Sequence, residues 1–306
     1  MEKLLISQNS NFKIQNLYFD DSQSGFKYFH TENNTQIMKI SMHDKDQPYK
    51  CNSRCKVLKK ENSYQISYQL LSDEKILQHT NVFQEKQELF LDSSTKIYGC
   101  TVTMEKANCC VFKQIFKKKN YQPFKLTLET SIKICECIKF IHDKGMAHNN
   151  IKSENFLHFY EGDQIKIGGL GYLSKDDEKF TFQQFYRIFK KRKDFASYEI
   201  QKALNERYSL LGPDLNIDFK KSDIFDLGYV LFELVYQVKF QHFFGYPLNY
   251  QKFLKNFKKN FTVQGNQKQE FFYPIIKNCL NQNMDDRNDI DNILTILNNK
   301  LQDMSD

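Results

Sequence analysis

The sequence predicts an α+β fold in which strands and helices are segregated along the chain. The first third carries short β-like runs broken by turn residues, whereas the remainder carries longer segments with apolar residues at helical spacing. A third observation is composition, because 40% hydrophobic and 15% aromatic residues are too many for a disordered chain. A length of 306 residues then favours two domains, or one domain of two lobes.

The strand candidates lie between residues 26 and 104, separated by turn sequences such as E-N-N-T and D-K-D-Q-P. We predict strands over Phe26–His30, Gln36–Met42, Arg54–Leu58, Glu88–Leu91 and Ile97–Met104. Between residues 62 and 78 the spacing changes to that of a helix, with one stripe formed by Ile66, Leu70, Asp73 and Leu77.

Helix candidates dominate from about residue 109 onward. Apolar residues recur at helical spacing over Leu128–Ile141 and again over Ile290–Leu301. The segment Ile224–Tyr236 is apolar nearly all round, which predicts a buried helix.

Charge and cysteine content exclude several classes of function. A net charge of +7 is a mild excess at this length, so nucleic acid is not an expected partner. No run of apolar residues is long enough to cross a membrane. The first residues lack the apolar core of a cleavable signal, so we expect the eight cysteines to be reduced thiols in the cytoplasm or another reducing intracellular compartment.

Five motifs between residues 141 and 287 carry the chemical information. They are H-N-N-I-K-S-E-N at 148–155, I-G-G-L-G at 167–171, S-Y-E at 197–199, S-D-I-F-D-L-G at 222–228 and C-L-N-Q-N-M-D-D-R at 279–287. In this order they resemble the catalytic loop, the D-F-G and A-P-E elements and the two late helical motifs of eukaryotic protein kinases. The resemblance implies a bilobal protein-kinase-like fold, with a small antiparallel N-lobe sheet plus one helix and a larger helical C-lobe.

The resemblance also implies a domain division. We expect an N-terminal tail over 1–24 and a kinase-like domain over 25–306. Within that domain the N-lobe would cover 25–105, the hinge 105–109 and the C-lobe 110–306.

The N-terminal half matches the family at its nucleotide-binding positions. R-C-K-V resembles the third strand with its lysine at Lys56, and Lys39 on the preceding strand is the alternative lysine. We prefer Lys56 because it precedes Asp73, at the αC-helix position, by 17 residues. The implied nucleotide-binding residues are Lys56, Asp73, Met104, Glu105 and Ala107.

The catalytic positions depart from the family. Asn150 replaces the aspartate that accepts the substrate proton, and an amide is not a base near neutral pH. Gly169 replaces the D-F-G aspartate that holds magnesium. Lys152 and Asn155 match the catalytic-loop lysine and the second metal-binding residue, but one neutral ligand makes a weak magnesium site. Residues 31–35, interpreted as the phosphate-covering loop, contain no glycine.

Structural positions of the family are kept. The resemblance assigns such positions to His148, Leu170, Glu199, Asp223 and Arg287, with an ion pair between Glu199 and Arg287. The activation segment would run over 172–195 and offers Ser174, Thr181 and Tyr186 for phosphorylation, while Asn149 replaces the arginine that pairs such a phosphate.

Three functions are consistent with these motifs. The first is a pseudokinase with weak or absent ATP binding that acts as a scaffold or allosteric partner of another protein. The second is an active Ser/Thr kinase that uses ATP and magnesium and recruits Asp176, Asp177 or Glu178. The third is a basic adaptor, which no nucleic-acid motif supports. The sequence leaves the partner and the oligomeric state open.

Overall fold

A computed structural model describes residues 14–21, 26–31, 36–43, 56–60, 63–67, 85–92, 97–111, 113, 123–176, 185–186, 189–190, 196–205, 217–240, 257 and 265–304. The chain divides into two compact units, Met1–Asn108 and Cys109–Asp306, called here the N-terminal and C-terminal units. Strands dominate the described part of the first unit and helices that of the second, so the predicted α+β class is confirmed.

The N-terminal unit is built on a five-stranded antiparallel sheet with the order β1-β2-β3-β7-β6. A separate hairpin pairs β4 with β5. The strands are β1 (Ile14–Asp21), β2 (Phe26–Thr31), β3 (Gln36–His43), β4 (Lys56–Lys60), β5 (Ser63–Ser67), β6 (Glu85–Asp92) and β7 (Ile97–Glu105).

The first strand of this sheet lies inside the segment predicted to be an N-terminal tail. Residues 14–21 pair with β2, so the sheet begins upstream of the predicted domain start at residue 25. Register shifts between Ile14 and Leu17 and between Leu17 and Phe19 interrupt the pairing. Such bulges disturb the period-2 alternation by which a strand is recognised in a sequence.

The additional strand also moves the loop that joins the first two strands. That loop covers residues 22–25, S-Q-S-G, and contains Gly25. Residues 32–35, inside the predicted phosphate-covering loop, instead connect β2 to β3. The prediction was wrong about the position of the loop, although the connection between the first two strands still has only one glycine.

The third strand of the sheet carries Lys39 and not Lys56. Lys39 pairs with Tyr28 on β2 and with Val102 on β7, whereas Lys56 begins the separate β4–β5 hairpin. The placement of Lys56 on the third strand was therefore wrong. The helix predicted over residues 62–78 is also wrong at its start, because Ser63–Ser67 is a strand that pairs with β4. The rest of that helix, including Asp73, lies outside the described residues.

Five α-helices of the C-terminal unit have described bounds. They are α1 (Phe124–Asp143), α2 (Tyr198–Asn205), α3 (Phe219–Tyr236), α4 (Gln267–Cys279) and α5 (Ile290–Asp303). Short strands accompany them: β8 (Cys109–Cys110), β9 (Met146–Ala147), β10 (Phe156–Phe159), β11 (Gln164–Ile167) and β12 (Ser174–Lys175). β10 lies between β8 and β11 in a three-stranded sheet, and β9 pairs with β12.

Helix α3 is the centre of the C-terminal unit. It begins at the N-cap Asp218, which accepts a hydrogen bond from the Lys221 amide, and its C-cap is Gln237 in the left-handed conformation. Most of its residues are buried, as expected for a helix that is apolar all round. Gly228 lets α4 approach closely, because a Cβ there would lie 2.9 Å from the Cβ of Cys279.

The first turn of α4 buries a lysine. Lys268 is only 1% exposed, and burial lowers its pKa to about 8. At Lys268 the unfolded chain therefore holds more protons than the folded one between about pH 8 and pH 10.5, so this residue contributes a rise in the free energy of unfolding with pH in that window.

We expect the free energy of unfolding of Lys268→Met to rise less steeply than that of wild type between about pH 8 and pH 10.5, because the variant lacks the group whose pKa differs between the folded and the unfolded chain. The difference between the two proteins should change by about 1–3 kcal/mol across this window. Urea unfolding of wild type and variant across this pH range measures the difference. Lys277→Met, which changes an exposed lysine on the same helix, is the control. Equal pH profiles for wild type and Lys268→Met would contradict the prediction.

Candidate functional site

The catalytic-loop segment His148–Asn155 is held in place by a buried carboxylate on α3. Asp223 is fully buried, and its two oxygens accept the backbone N–H groups of His148 (2.6 Å) and Asn149 (2.8 Å). His142, near the end of α1, donates from Nε2 to the same carboxylate at 3.1 Å. Asp223 thus joins α1, α3 and the loop at one point.

The His148 ring connects the loop to the turn at residues 168–171. Its Nε2 donates to the carbonyl oxygen of Gly168 at 2.9 Å, and its Nδ1 accepts the N–H of Asn150 at 3.1 Å. Because a carbonyl only accepts and a backbone amide only donates, this pattern requires the tautomer with the proton on Nε2. The His148 side chain is fully buried.

Asn149 links the loop to the start of the predicted activation segment without using charge. Its φ of +60° lies in the left-handed region, which asparagine adopts more readily than most residues. Its Nδ2 donates to Ser174 Oγ at 2.6 Å and to the Tyr172 carbonyl at 3.0 Å. Ser174 is fully buried, so this predicted phosphorylation site is inaccessible in the folded protein.

The two residues that match the family's remaining catalytic-loop positions differ in their surroundings. Lys152 is exposed to solvent. Asn155 donates from Nδ2 to the carbonyl of Asn150 at 2.7 Å, while its own carbonyl accepts the Gly168 N–H at 2.8 Å. Asn155 therefore joins both ends of the loop and the turn that follows it.

The positions that should hold a base and a metal ligand carry neither. Asn150 is half-buried, and its amide side chain makes no hydrogen bond to any residue that the structure describes. Gly169 has φ +76° and offers no ligand atom from a side chain. Leu170 follows it, 2% exposed, and supplies the apolar bulk expected there. The site therefore lacks the carboxylate base and the metal-binding carboxylate that the resemblance implies at positions 150 and 169.

A second buried carboxylate supports the loop from the far end of α3. Ser153 Oγ donates to Glu233 at 2.6 Å, and the Phe240 amide donates to the other Glu233 oxygen at 3.3 Å. Burial raises the pKa of Glu233. Beside it, Glu154 forms an ion pair with Lys239.

The predicted ion pair between Glu199 and Arg287 is present. Arg287 NH1 and NH2 each lie 2.8 Å from one oxygen of Glu199, in the two-pronged geometry that suits a guanidinium. The remaining Arg287 donors reach the carbonyls of Lys221, Asn281 and Gln282. Arg287 is 2% exposed, and its guanidinium lies over the Phe225 ring at 4.9 Å.

The implied nucleotide-binding residues belong to the N-terminal unit. Met104 is on β7 opposite Ile37, and Glu105 ends that strand. Ala107 follows, just before the boundary of the unit at Asn108. The structure places Lys56 away from the five-stranded sheet, and Asp73 lies outside the described residues.

Carboxylates near the turn are the alternative source of a base. Asp176 forms an ion pair with Lys220 at 2.6 Å, and its backbone N–H donates to the Gly145 carbonyl at 3.0 Å. Both partners hold Asp176 beside the end of α1 and the start of α3. Asp177 and Glu178 lie outside the described residues.

The predicted activation segment also contains a buried aromatic pair. Phe185 and Phe189 are at most 1% exposed, their ring centroids are 4.9 Å apart, and they pack with Ile200 of α2. Phe189 also stacks on Phe219 at 5.8 Å, which links the segment to α3. Tyr186 beside them is 39% exposed. Thr181 lies outside the described residues.

Two contacts that support the catalytic-loop segment were not predicted from the sequence. His142 lies on the buried side of α1 next to Ile138 and Ile141. A histidine on an apolar stripe of a helix was the indication in the sequence that this side chain has a buried polar partner. For the contact between Ser153 and Glu233, the only indication in the sequence was a glutamate inside an otherwise apolar helix.

Other chemistries are not represented in the described part of the chain. It contains no group of three or more His, Cys, Asp or Glu side chains placed to hold a metal ion. Its five cysteines with described side chains, at 109, 110, 135, 137 and 279, are free thiols. No helix within the described ranges has both the length and the hydropathy needed to span a membrane.

A family model described as protein tyrosine and serine/threonine kinase matches residues 31–297. The chain belongs to the protein kinase family. Among curated proteins, the chain is 28% identical over 112 residues to eukaryotic translation initiation factor 2-alpha kinase 3 of Rattus norvegicus. The matched segment covers 37% of this chain and 10% of that protein.

Two other relatives are also named as kinases. A Wee1-like protein kinase of Arabidopsis thaliana is 28% identical over 33% of the chain and 17% of its own length. A probable serine/threonine-protein kinase of Clostridium perfringens is 25% identical over 44% of the chain and 17% of its own length. The matched segment therefore spans less than a fifth of each of these relatives.

We expect Asp223→Ala to lower the free energy of unfolding by about 2–4 kcal/mol, because it leaves two buried backbone N–H groups without acceptors. Asp218→Ala removes an exposed N-cap from the same helix and should cost only about 1 kcal/mol. Urea denaturation of both variants measures the contrast. Equal losses would show that the buried carboxylate does not hold the loop.

We expect Glu199→Ala to cost about 3–5 kcal/mol, because it leaves the buried Arg287 guanidinium without a counter-charge. Asp291→Ala, which breaks the exposed pair with Lys139, should cost less than about 1 kcal/mol. Both variants are compared with wild type by chemical denaturation. A loss for Glu199→Ala as small as that for Asp291→Ala would contradict a structural role for the pair.

Proposed function

We propose that this protein kinase domain is a pseudokinase, which has lost phosphotransfer and acts as a scaffold or allosteric partner of another protein. The observation that carries the proposal is the contrast between Asn150 and Gly169 on one side and Asp223 on the other. The reacting positions are neutral, whereas the contacts that hold the loop around them are complete.

The chemistry of phosphoryl transfer explains why the first two residues matter. A positioned base contributes about 10²–10⁴-fold, and the Asn150 amide cannot accept a proton near neutral pH. Stabilisation of the developing phosphate charge by a metal contributes several kcal/mol more, and Gly169 has no ligand to hold that metal. Either loss alone reduces turnover severely.

The N-terminal unit supports the same proposal. Its first inter-strand connection, at residues 22–25, has one glycine, so backbone amides there are less able to approach phosphates closely. Lys39, on the third strand of the sheet, is the lysine that we propose for any remaining nucleotide contact. Weak or absent ATP binding follows.

The competing proposal is an active Ser/Thr kinase with a recruited carboxylate. Asp176 would have to leave both Lys220 and the Gly145 carbonyl to serve as a base, which disfavours it. ATP and magnesium would then be its cofactors.

A phosphotransfer assay separates these proposals. We expect the purified chain to transfer no labelled phosphate from ATP to itself or to a generic protein substrate above the level of Lys39→Ala. We also expect no magnesium-dependent rise in melting temperature with ATP. Lys56→Ala, which changes a lysine outside the five-stranded sheet, is the matched control. Turnover that Lys39→Ala abolishes and Lys56→Ala preserves would overturn the pseudokinase proposal.

A further inference from the structure

The contact between Asn155 and Gly169 joins the catalytic loop to the turn that follows β11. A Cβ atom on Gly169 would lie 2.6 Å from Asn155 Nδ2, 2.9 Å from its Cγ and 3.0 Å from its Oδ1. Real Cβ atoms essentially never approach other heavy atoms closer than 3.0 Å. The Asn155 amide therefore fills the space in which any other residue at position 169 would place its first side-chain carbon.

Asn155 cannot move away without breaking other contacts. Its Nδ2 donates to the Asn150 carbonyl at 2.7 Å, and its backbone N–H donates to the Lys152 carbonyl at 2.9 Å. Its carbonyl accepts the Gly168 N–H at 2.8 Å. The side-chain amide of Asn155 is thus held by a hydrogen bond to the loop, and that bond must stretch or break if a Cβ at position 169 displaces the amide.

The residues present do not fit a magnesium ion. Magnesium in phosphoryl-transfer sites is usually bound through one or two carboxylates together with phosphate oxygens and water, and neither Asn155 nor Gly169 supplies a carboxylate. The Asn155 amide is instead packed against the glycine whose position should carry the ligand.

We infer that Asn155 is a clamp and not a metal ligand, because direct packing of its amide on Gly169 joins the two loops where the family uses a metal. This inference rests on the proposed function, since it describes how the site stays ordered without that metal. It has a consequence for the chain: a side chain at position 169 must displace the Asn155 amide and strain its hydrogen bond to Asn150.

A double-mutant cycle tests the clamp. The variants are Gly169→Ala, Gly169→Asp and Asn155→Ala, together with the two doubles that combine Asn155→Ala with each glycine change. We expect each change at Gly169 to lower the melting temperature more in the wild-type background than in the Asn155→Ala background. Aspartate tolerates the left-handed backbone better than alanine does, so Gly169→Asp reports mainly on the clash.

Gly265→Ala is the matched control for backbone strain. Gly265 has φ +89°, and a Cβ built on it would meet nothing within 4 Å. We expect Gly169→Ala to lower the melting temperature at least about twice as far as Gly265→Ala, with the excess removed by Asn155→Ala. Equal losses at the two glycines, or an excess that persists in the Asn155→Ala background, would overturn the clamp.

If Gly169→Ala does not fold, the Asn155→Ala/Gly169→Ala double variant decides the question. A folded double variant supports the clamp, and an unfolded one overturns it. These readouts need neither nucleotide nor activity. If the chain proves to be an active kinase, the pseudokinase proposal is wrong, but the result of the double-mutant cycle still stands. If the losses in melting temperature at positions 155 and 169 are additive, only the clamp is wrong.

Discussion

The buried carboxylate of Asp223 is the interaction on which the geometry of the candidate site depends. It accepts two consecutive backbone N–H groups, those of His148 and Asn149, and a third donor from His142. Backbone donors are present whatever side chain a residue carries. The shape of the loop is therefore set by one acidic residue on α3, and it does not require charged side chains at positions 149 and 150. Neutral residues can occupy those positions while the loop remains folded.

The same separation of geometry from chemistry holds at the other end of the site. The buried Arg287 guanidinium donates two hydrogen bonds to the Glu199 carboxylate and others to backbone carbonyls. Removal of Arg287 would therefore leave several buried acceptors without a hydrogen-bond donor. A catalytic base or a metal-binding carboxylate does not stabilise the fold in this way, because burial of an unpaired anion lowers the stability of the protein. Neutral residues at positions 150 and 169 leave these contacts intact, whereas removal of Asp223 or Arg287 would break several of them.

Much of the C-terminal unit could be predicted from the sequence because its signals are local. Helices α1 and α5 follow from apolar spacing, and α3 follows from a segment that is apolar nearly all round. The positions of Glu199 and Arg287 follow from ordered motifs. The errors fall where the signal is not local. Register shifts in β1 disturb the alternation of side chains by which a strand is recognised in a sequence. The sequence around Lys56 predicts a strand, but it does not tell whether that strand pairs within the five-stranded sheet, and the structure places it in a separate hairpin. The burial of Ser174 depends on Asn149, a partner 25 residues away.

The polar groups around the turn form a network that needs no cation. His148 donates to Gly168, Asn149 donates to Ser174, and Asn155 donates to Asn150. Each donor meets an uncharged acceptor, so no negative charge is left for a metal to neutralise. A divalent ion entering here would lose water and gain only neutral ligands, which is a poor exchange for magnesium because it dehydrates reluctantly. The hydrogen bonds that join the loop to the turn therefore come from polar groups of the protein itself.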